Sequence, residues 1–306
     1  MNTISGNSTL LARSKRKAKI RKIFLALLFL SPAIVCFVVF KYLPTFQTLY
    51  YSLFRYNMVD PPGKFVGLRN YTNALQSELF WLSFKNTLAL YGWQMLLGFW
   101  VPIVQAICIS EMVRGKTLAK LAYLLPTGIS GVAGLSVWKY IWEPDGGLAN
   151  QFMNLFGLGP YQWYGDEALV KFCLRFPAIL GGGGMVIFLF VTILNISSEL
   201  YDAAKIDGAN AFQRIFHITL PGMRYTIFIS FILSLTGSLL AFDDVYMVTQ
   251  GGPGYASYTV VLGIYRKAFQ EQNWGMAMGM SWILCIITFI ITAVVFWIQG
   301  RTEDDF

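Results

Sequence analysis

Apolar residues along this chain gather into six uncharged blocks, at 24–40, 87–110, 121–138, 176–198, 225–242 and 276–299. About 20 consecutive apolar residues carry a helix across a bilayer, so each block predicts a membrane-spanning helix. A charge at the centre of such a helix costs roughly 2.5–3.5 kcal/mol, which keeps the charged side chains between the blocks. The pattern predicts an all-α membrane protein of six transmembrane helices with both termini on one side. Just before the first block stand Arg13, Lys15, Arg16, Lys17, Lys19, Arg21 and Lys22, with no acid among them. Positive residues beside a span stay in the cytoplasm, so both termini are expected there. The organisation is then a basic cytoplasmic N-terminus at 1–22, a transmembrane domain at 23–300 and a cytoplasmic tail at 301–306. A signal peptide also joins a basic front to an apolar stretch, but this stretch is too long and no small-residue cleavage site follows Leu43-Pro44.

The connections sort by side. Those at 111–118 and 199–222 face the cytoplasm, and Arg114, Lys116 and Lys120 mark the first of them. The outer connections are 44–85, 143–174 and 250–273. Pro44, Pro61-Pro62-Gly63 and Gly67 predict turns in the first, with an amphipathic helix around 70–82. Pro144, Gly146-Gly147 and Gly159-Pro160 predict loop in the second. No internal repeat is visible, unlike the duplicated halves of many secondary transporters.

Composition sharpens the class. Of the 306 residues, 56% are hydrophobic and 13% charged, against about 25% charged in soluble domains. A net charge of +8 would suggest nucleic acid in a soluble chain. Here it serves orientation; membrane lipid is the expected surrounding, with no nucleic-acid partner. Cys36, Cys108, Cys173 and Cys285 lie in or beside apolar blocks without metal-ligand spacing, and read as small buried hydrophobes.

The stretch 199–221, ELYDAAKIDGANAFQRIFHITLP, is the most informative. Leu200, Ala203 and Ala204 share a helical face at i, i+3, i+4, small enough for another backbone to come close. Glu199 and Asp202 are placed in the first turn, where the helix dipole favours acids. Asp207-Gly208 stops the helix with a left-handed cap. Asn210 can cap a second short helix striped by Phe212, Ile215 and Phe216, and Pro221 suits the first turn of the next.

Asp202-Ala203-Ala204, three residues, Gly208, nine residues, then Ile218-x-Leu220-Pro221 resembles the EAA loop of binding-protein-dependent ABC importer permeases. Every spacing agrees; Asp202 replaces the family's Glu, with the same charge and shorter reach. Phe65-Val66-Gly67-Leu68-Arg69-Asn70-Tyr71 and Asn86-Thr87 are similar to elements of the carbohydrate branch. So are Trp138–Trp142 with Gly146–Asn150, and Thr249-Gln250-Gly251-Gly252-Pro253. The last is typical of the subunit similar to the larger maltose-transporter permease. The branch usually has Ile-Pro before the coupling helix; here Ile196 is followed by Ser197-Ser198.

The resemblance implies the type I ABC importer permease fold with a cytoplasmic coupling helix. It implies a multi-pass protein of the bacterial cell membrane that forms half of a sugar or oligosaccharide pathway. It implies a second, different permease chain, two copies of a cytoplasmic ATPase and an extracytoplasmic solute-binding protein. The chain itself would be no enzyme and hold no cofactor, with ATP and Mg on the ATPase subunits. The coupling residues would be Glu199, Asp202, Ala203, Ala204, Asp207, Gly208, Phe212, Ile218, Leu220 and Pro221. A glycerol phosphodiester cargo keeps the same class; a stand-alone secondary transporter is a different one, which intramembrane acids or His pairs would favour.

Candidate chemistry elsewhere is sparse. Ser110-x4-Gly115-Lys116-Thr117 lacks the first glycine of a phosphate loop and joins two membrane helices. His217, the one histidine, supports neither metal nor acid–base chemistry and reads as a polar contact of the coupling loop. The glycines at 181–184 weaken their helix, serving close packing or a bend at a cavity. Asp243 and Asp244 fall near the outer end of the fifth span, either binding substrate hydroxyls or capping and pairing with the outer loops. Sugars need polar groups for hydroxyls and flat rings for apolar faces. The pathway candidates on that basis are Trp93, Gln94, Trp138, Ser234, Ser238, Asp243, Asp244, Tyr246, Ser281 and Trp282.

Overall fold

The computed structural model describes residues 4–303, apart from Asn57, Asp60, Val113 and Gly182. The ends of the expected N- and C-terminal segments, 1–3 and 304–306, and one glycine of the 181–184 run lie outside the described residues. Three helices are long and apolar enough to cross a membrane unbroken: Arg21–Tyr51, Glu78–Glu111 and Trp274–Arg301. Two bent pairs add to them, Val170–Ile179 with Gly183–Leu194 at 46°, and Ala211–Gly222 with Arg224–Leu239 at 68°. The expected span at 121–138 does not form one helix: Lys116–Leu124 and Gly131–Ile141 are divided by a 3-10 turn at Leu125–Gly128. The described residues therefore give three spans, or five with the bent pairs, rather than an established six.

Two boundaries differ from expectation for physical reasons. Pro44 does not end the first span, because the helix widens into a π turn at Val38–Tyr42 and continues as Leu43–Tyr51. Leu43 N–H then reaches back to Val38 O. The wider turn accommodates a proline that lacks its N–H and would otherwise crowd the carbonyl four residues back. The same device recurs at Ile215–Thr219, before Leu220-Pro221. The second span starts at Glu78 rather than 87, because Ser77 caps it by accepting from Phe80 N–H. That cap also divides the helix expected around 70–82 into Arg69–Gln76 and the start of the span.

Hydrogen bonds fold the outer segments onto the spans. Phe54–Arg55 pairs antiparallel with Lys64–Phe65. Asn70 donates to Ser52 O at 2.7 Å and Phe54 O at 2.9 Å, and Tyr71 OH meets Ser52 Oγ at 2.6 Å. Asn86 donates to Tyr255 O at 2.7 Å, and Thr87 Oγ1 accepts from Val260 N–H at 3.3 Å. Asn150 donates to Pro144 O and Tyr161 O and accepts from Tyr161 N–H and Trp163 Nε1–H. Buried amides this fully satisfied fix a loop in one conformation. The core beneath joins Phe99, Ile103 and Ala106 of the second span to Val186, Leu189 and Phe190 of the fourth, with Met223.

Close backbone approach fixes the last helix against this outer layer. A Cβ added at Gly275 would collide with Phe54 O and sit 3.0 Å from Asn70 Nδ2. Gly275→Ala is expected to cost about 1–3 kcal/mol through overpacking, read as a lower unfolding midpoint in detergent. An unchanged midpoint would contradict the packing.

Candidate functional site

The coupling segment forms as two short helices around one left-handed residue. Ser197 accepts from Glu199 N–H and starts Ser198–Ile206. Asp202 lies a turn further along than the acid-favouring first turn expected for it, and pairs with Lys205 at 2.9 Å. Gly208 takes φ +78°. Ala209 N–H then bonds Ala204 O at 2.8 Å and Gly208 N–H bonds Lys205 O at 3.1 Å, the paired bonds of a glycine-terminated helix. Asn210 and Gln213 cap each other's backbone N–H groups at 2.9 and 2.8 Å, a capping box that opens Ala211–Arg214. The second helix runs on through the π turn to Gly222, so Pro221 sits inside this arm and the next span begins at Arg224.

Three contacts hold the arm in place. Tyr201 OH meets Thr219 Oγ1 at 2.9 Å, Arg214 reaches Glu111 at 3.4 Å, and His217 Nδ1 meets Gln213 O at 3.0 Å. A groove of 330 Å³ runs between the two helices, lined by Ala204, Gly208, Gln213, Arg214, His217 and Ile218. Glu199, Ala203 and Asp207 are exposed. So are Leu200, Ile206, Phe212 and Phe216, with Ile206 87% and Phe212 74% exposed. Large apolar side chains held out on capped helices make a surface suited to a partner.

The second feature is a cavity of 640 Å³ among Gly131–Ile141, Arg175 and the end of Arg224–Leu239. Ser130, Arg175, Phe242, Asp243, Asp244 and Met247 are on its wall. Arg175 Nη1 donates to Asp244 Oδ2 at 2.7 Å, and both side chains are largely buried. Arg175 Nε and Nη2 are buried and have no acceptor among the described residues. Phe242 stacks on Tyr246 at 5.0 Å and 13°, and Tyr246 meets Tyr265 edge-on at 5.0 Å. Tyr164, in the outer segment, has its phenol pushed well above the ordinary value by burial, with further raising from Cys173 and Asp244.

Of the pathway candidates read from the sequence, Asp243 and Asp244 come together at this cavity, with Tyr246 one ring behind it. The others lie elsewhere. Trp282 donates to Thr48 Oγ1 at 3.2 Å and ties the last helix to the first; Ser281 donates to Ala277 O. Trp93 packs on Phe172, and Trp138 on Phe176. Gln94 and Ser234 are half-buried, and Ser238 is buried. The glycine run lies at the 46° bend; a Cβ at Gly181 would sit 3.3 Å from Ala178 O, whereas one at Gly184 would have open space around it. Arg175 was missed by the sequence reading. Its signal is a basic residue at the very edge of an apolar block, in a chain with an acid pair at the end of another.

Comparison with known proteins places the chain in a family. Residues 148–305 match the model of the binding-protein-dependent transport system inner membrane component. A probable ABC transporter permease protein of Bacillus subtilis, YurN, is 31% identical over 284 residues, 90% of this chain and 97% of that protein. The trehalose/maltose transport system permease protein MalF of Thermococcus litoralis is 29% identical over 293 residues, 94% of this chain and 98% of that one. Among solved structures, a chain of a bacterial alginate ABC transporter in complex with alginate pentasaccharide-bound periplasmic protein superposes with a TM-score of 0.81. It is 25% identical, with 93% of this chain and 97% of that chain covered. With its helical architecture and capped arm, this chain belongs to the inner membrane components of binding-protein-dependent transport systems.

Proposed function

We propose that this chain is a permease subunit of an ATP-driven importer for a sugar or oligosaccharide. It forms half of the pathway beside a second permease chain. A solute-binding protein delivers cargo to the outer segments, and two cytoplasmic ATPase subunits bear on the 199–221 arm. Both termini lie in the cytoplasm. ATP and Mg belong to the ATPase subunits, and this chain carries no hydrolytic chemistry of its own. The observation that carries the reading is the arm itself. Two capped helices, rigidly angled at Gly208, hold Leu200, Ile206, Phe212 and Phe216 outward. The first span supports a partner in the membrane, since none of its apolar window is buried within this chain. The sugar assignment is supported by the cargo named for relatives across nearly the whole chain, which are permeases for diacetylchitobiose, trehalose/maltose and arabinooligosaccharides.

ATP binding draws the two ATPase subunits together, and the arm, held to the fourth and fifth spans, converts that closure into rotation of the bundle. The ATPase shifts this equilibrium only by holding the arm differently in its two states. Hydrolysis resets it. A cysteine placed at Phe212, in a variant without the four native cysteines, tests the side of the membrane. A membrane-impermeant maleimide is expected to label it only after the cells are opened. Equal labelling in intact cells would refute the reading.

A further inference from the structure

The arm at 199–221 runs directly into the fourth and fifth spans, which therefore move with it. The second span, Glu78–Glu111, is not continuous with the arm. It packs on the fourth through Phe99, Ile103, Ala106 and Ile109 against Val186, Leu189 and Phe190. Apolar contacts of this kind resist separation but have no preferred direction, so packed helices slide along one another. A push on the arm reaches the second span in register only through a directional contact.

Arg214 and Glu111 make such a contact. Glu111 is the last residue of the helix Trp100–Glu111, the end at which the helix dipole disfavours an acid. That helix end is finished without it: Lys116 Nζ donates to Ser110 O at 2.8 Å, and Met112 N–H to Ile109 O at 3.4 Å. An acid kept where its own helix opposes it points to a partner elsewhere. The partner is Arg214, whose Nη2 donates to Glu111 Oε2 at 3.4 Å across 103 positions of chain. Of the other ion pairs among the described residues, Lys205–Asp202 and Lys267–Glu271 are local, and Arg175–Asp244 joins outer elements.

The arm holds Arg214 from both sides. The capping box of Asn210 and Gln213 fixes the start of the helix that Arg214 ends. The π turn Ile215–Thr219 follows at once, and its buried Thr219 meets Tyr201 OH of the first arm helix at 2.9 Å. A force on the exposed Leu200, Ile206 or Phe212 thus arrives at Arg214 through a braced pair of helices.

We infer that Arg214 and Glu111 are positioning residues of the transport cycle, whose ion pair carries the motion of the arm to the second span. Tyr201 and Thr219 brace Arg214 for this. The inference rests on the importer reading above and goes beyond it by adding the second span to the moving body and naming the contact that recruits it. An ion pair open to solvent adds little to stability, and Glu111 is 41% exposed, so losing the pair is expected to spare the fold and weaken transmission.

The test uses the complete importer in proteoliposomes: this chain, its partner permease, the ATPase pair and the binding protein. Radiolabelled maltose, diacetylchitobiose and arabinotriose are the probes, and the readout is sugar moved per ATP hydrolysed. Glu111→Gln is expected to lower that ratio about threefold, the worth of a partly exposed ion pair, at an unchanged unfolding midpoint. Glu111→Arg is expected to lower it further, because like charges then face each other. Glu111→Arg with Arg214→Glu is expected to restore most of it. A second readout does not depend on the cargo. Spin labels on cysteines at Met112 and Ala211, in a variant without the four native cysteines, are expected to keep one distance with and without trapped ATP and vanadate. With Glu111→Arg that distance is expected to change on trapping. The inference is overturned if Glu111→Arg keeps the wild-type ratio, if the exchanged pair is no better than Glu111→Arg, or if the variants lower the midpoint and leave the ratio unchanged. It is also overturned if the label distance changes on trapping in the presence of the native pair. If the wild-type complex moves none of the probes with ATP, the importer reading fails together with the inference.

Discussion

Gly208→Val is expected to cut coupled uptake about tenfold or more while the protein stays folded and in the membrane. Gly208 takes φ +78°, where an L-residue costs roughly 1–2 kcal/mol and a β-branched one is a true outlier. The space around it is open, since an added Cβ would meet nothing within 4 Å. The penalty is therefore one of backbone conformation, with no core to disturb. The chain escapes by leaving the left-handed region, which breaks the bonds from Gly208 and Ala209 to Lys205 and Ala204 and re-aims Ser198–Ile206 relative to the second helix. A strain of this size is worth about a tenfold change in an equilibrium, so ATP-dependent uptake is expected to fall about tenfold or more, at wild-type abundance and unfolding midpoint. Gly208→Asn is the control, since Asn tolerates the left-handed region, and it should keep most of the uptake. Wild-type uptake by the valine variant would remove the angle at Gly208 from the coupling mechanism.

That prediction was accessible from the sequence because helix ends are written locally. Asp207-Gly208 and Asn210-x2-Gln213 act within five residues of themselves, and the structure forms the stop and the second cap where the spacing put them. Ser197, which breaks the family's Ile-Pro pattern, turns out to supply the cap of the first helix. The same locality misled at Pro44. Taken alone, a proline ends a helix; widening the preceding turn lets the helix pass through it, and the Leu-Pro pairs at 43–44 and 220–221 both follow a π turn. The block at 121–138 misled differently. Its apolar run satisfies the length rule, while Pro126 and Gly128, in the turn Leu125–Gly128, interrupt it with turn chemistry that hydropathy does not weigh.

What the sequence hid is long-range. Asn86 finds Tyr255 across 169 positions, and Arg175 finds Asp244 across 69. Asn86-Thr87 and the glycine-rich turn near 251 could be recognised separately as family elements. Nothing in either spelled out that the first grips the strap of chain following the second. The candidate site shows the same limit. Aromatic and hydroxyl residues in spans are too common to single out a cavity, and seven of the ten pathway candidates, Trp93, Gln94, Trp138, Ser234, Ser238, Ser281 and Trp282, sit away from this one. The acid pair pointed to it because charge at membrane depth is expensive enough to require a reason.

Arg175→Ala and Asp244→Ala are each expected to destabilise the protein by about 3–5 kcal/mol, the cost of stranding one member of a buried ion pair. Both side chains are largely covered, at 12% and 16% exposure, and the contact is short at 2.7 Å, so solvent cannot take over the role of the missing partner. Arg175 ends the helix Val170–Arg175, and Asp244 immediately precedes the π turn Val245–Thr249. The pair thereby fastens the outer half of the fourth span to the segment leaving the fifth. Replacing both residues together removes both charges, so Arg175→Leu with Asp244→Leu is expected to unfold at a higher temperature than either alanine variant. Unfolding midpoints of the four purified proteins decide this. If the single variants melt with the wild type, the two charges are hydrated within the assembled membrane protein, and the pair does not hold the outer half of the bundle together. If the double variant melts below both singles, the residues act through packing rather than through charge.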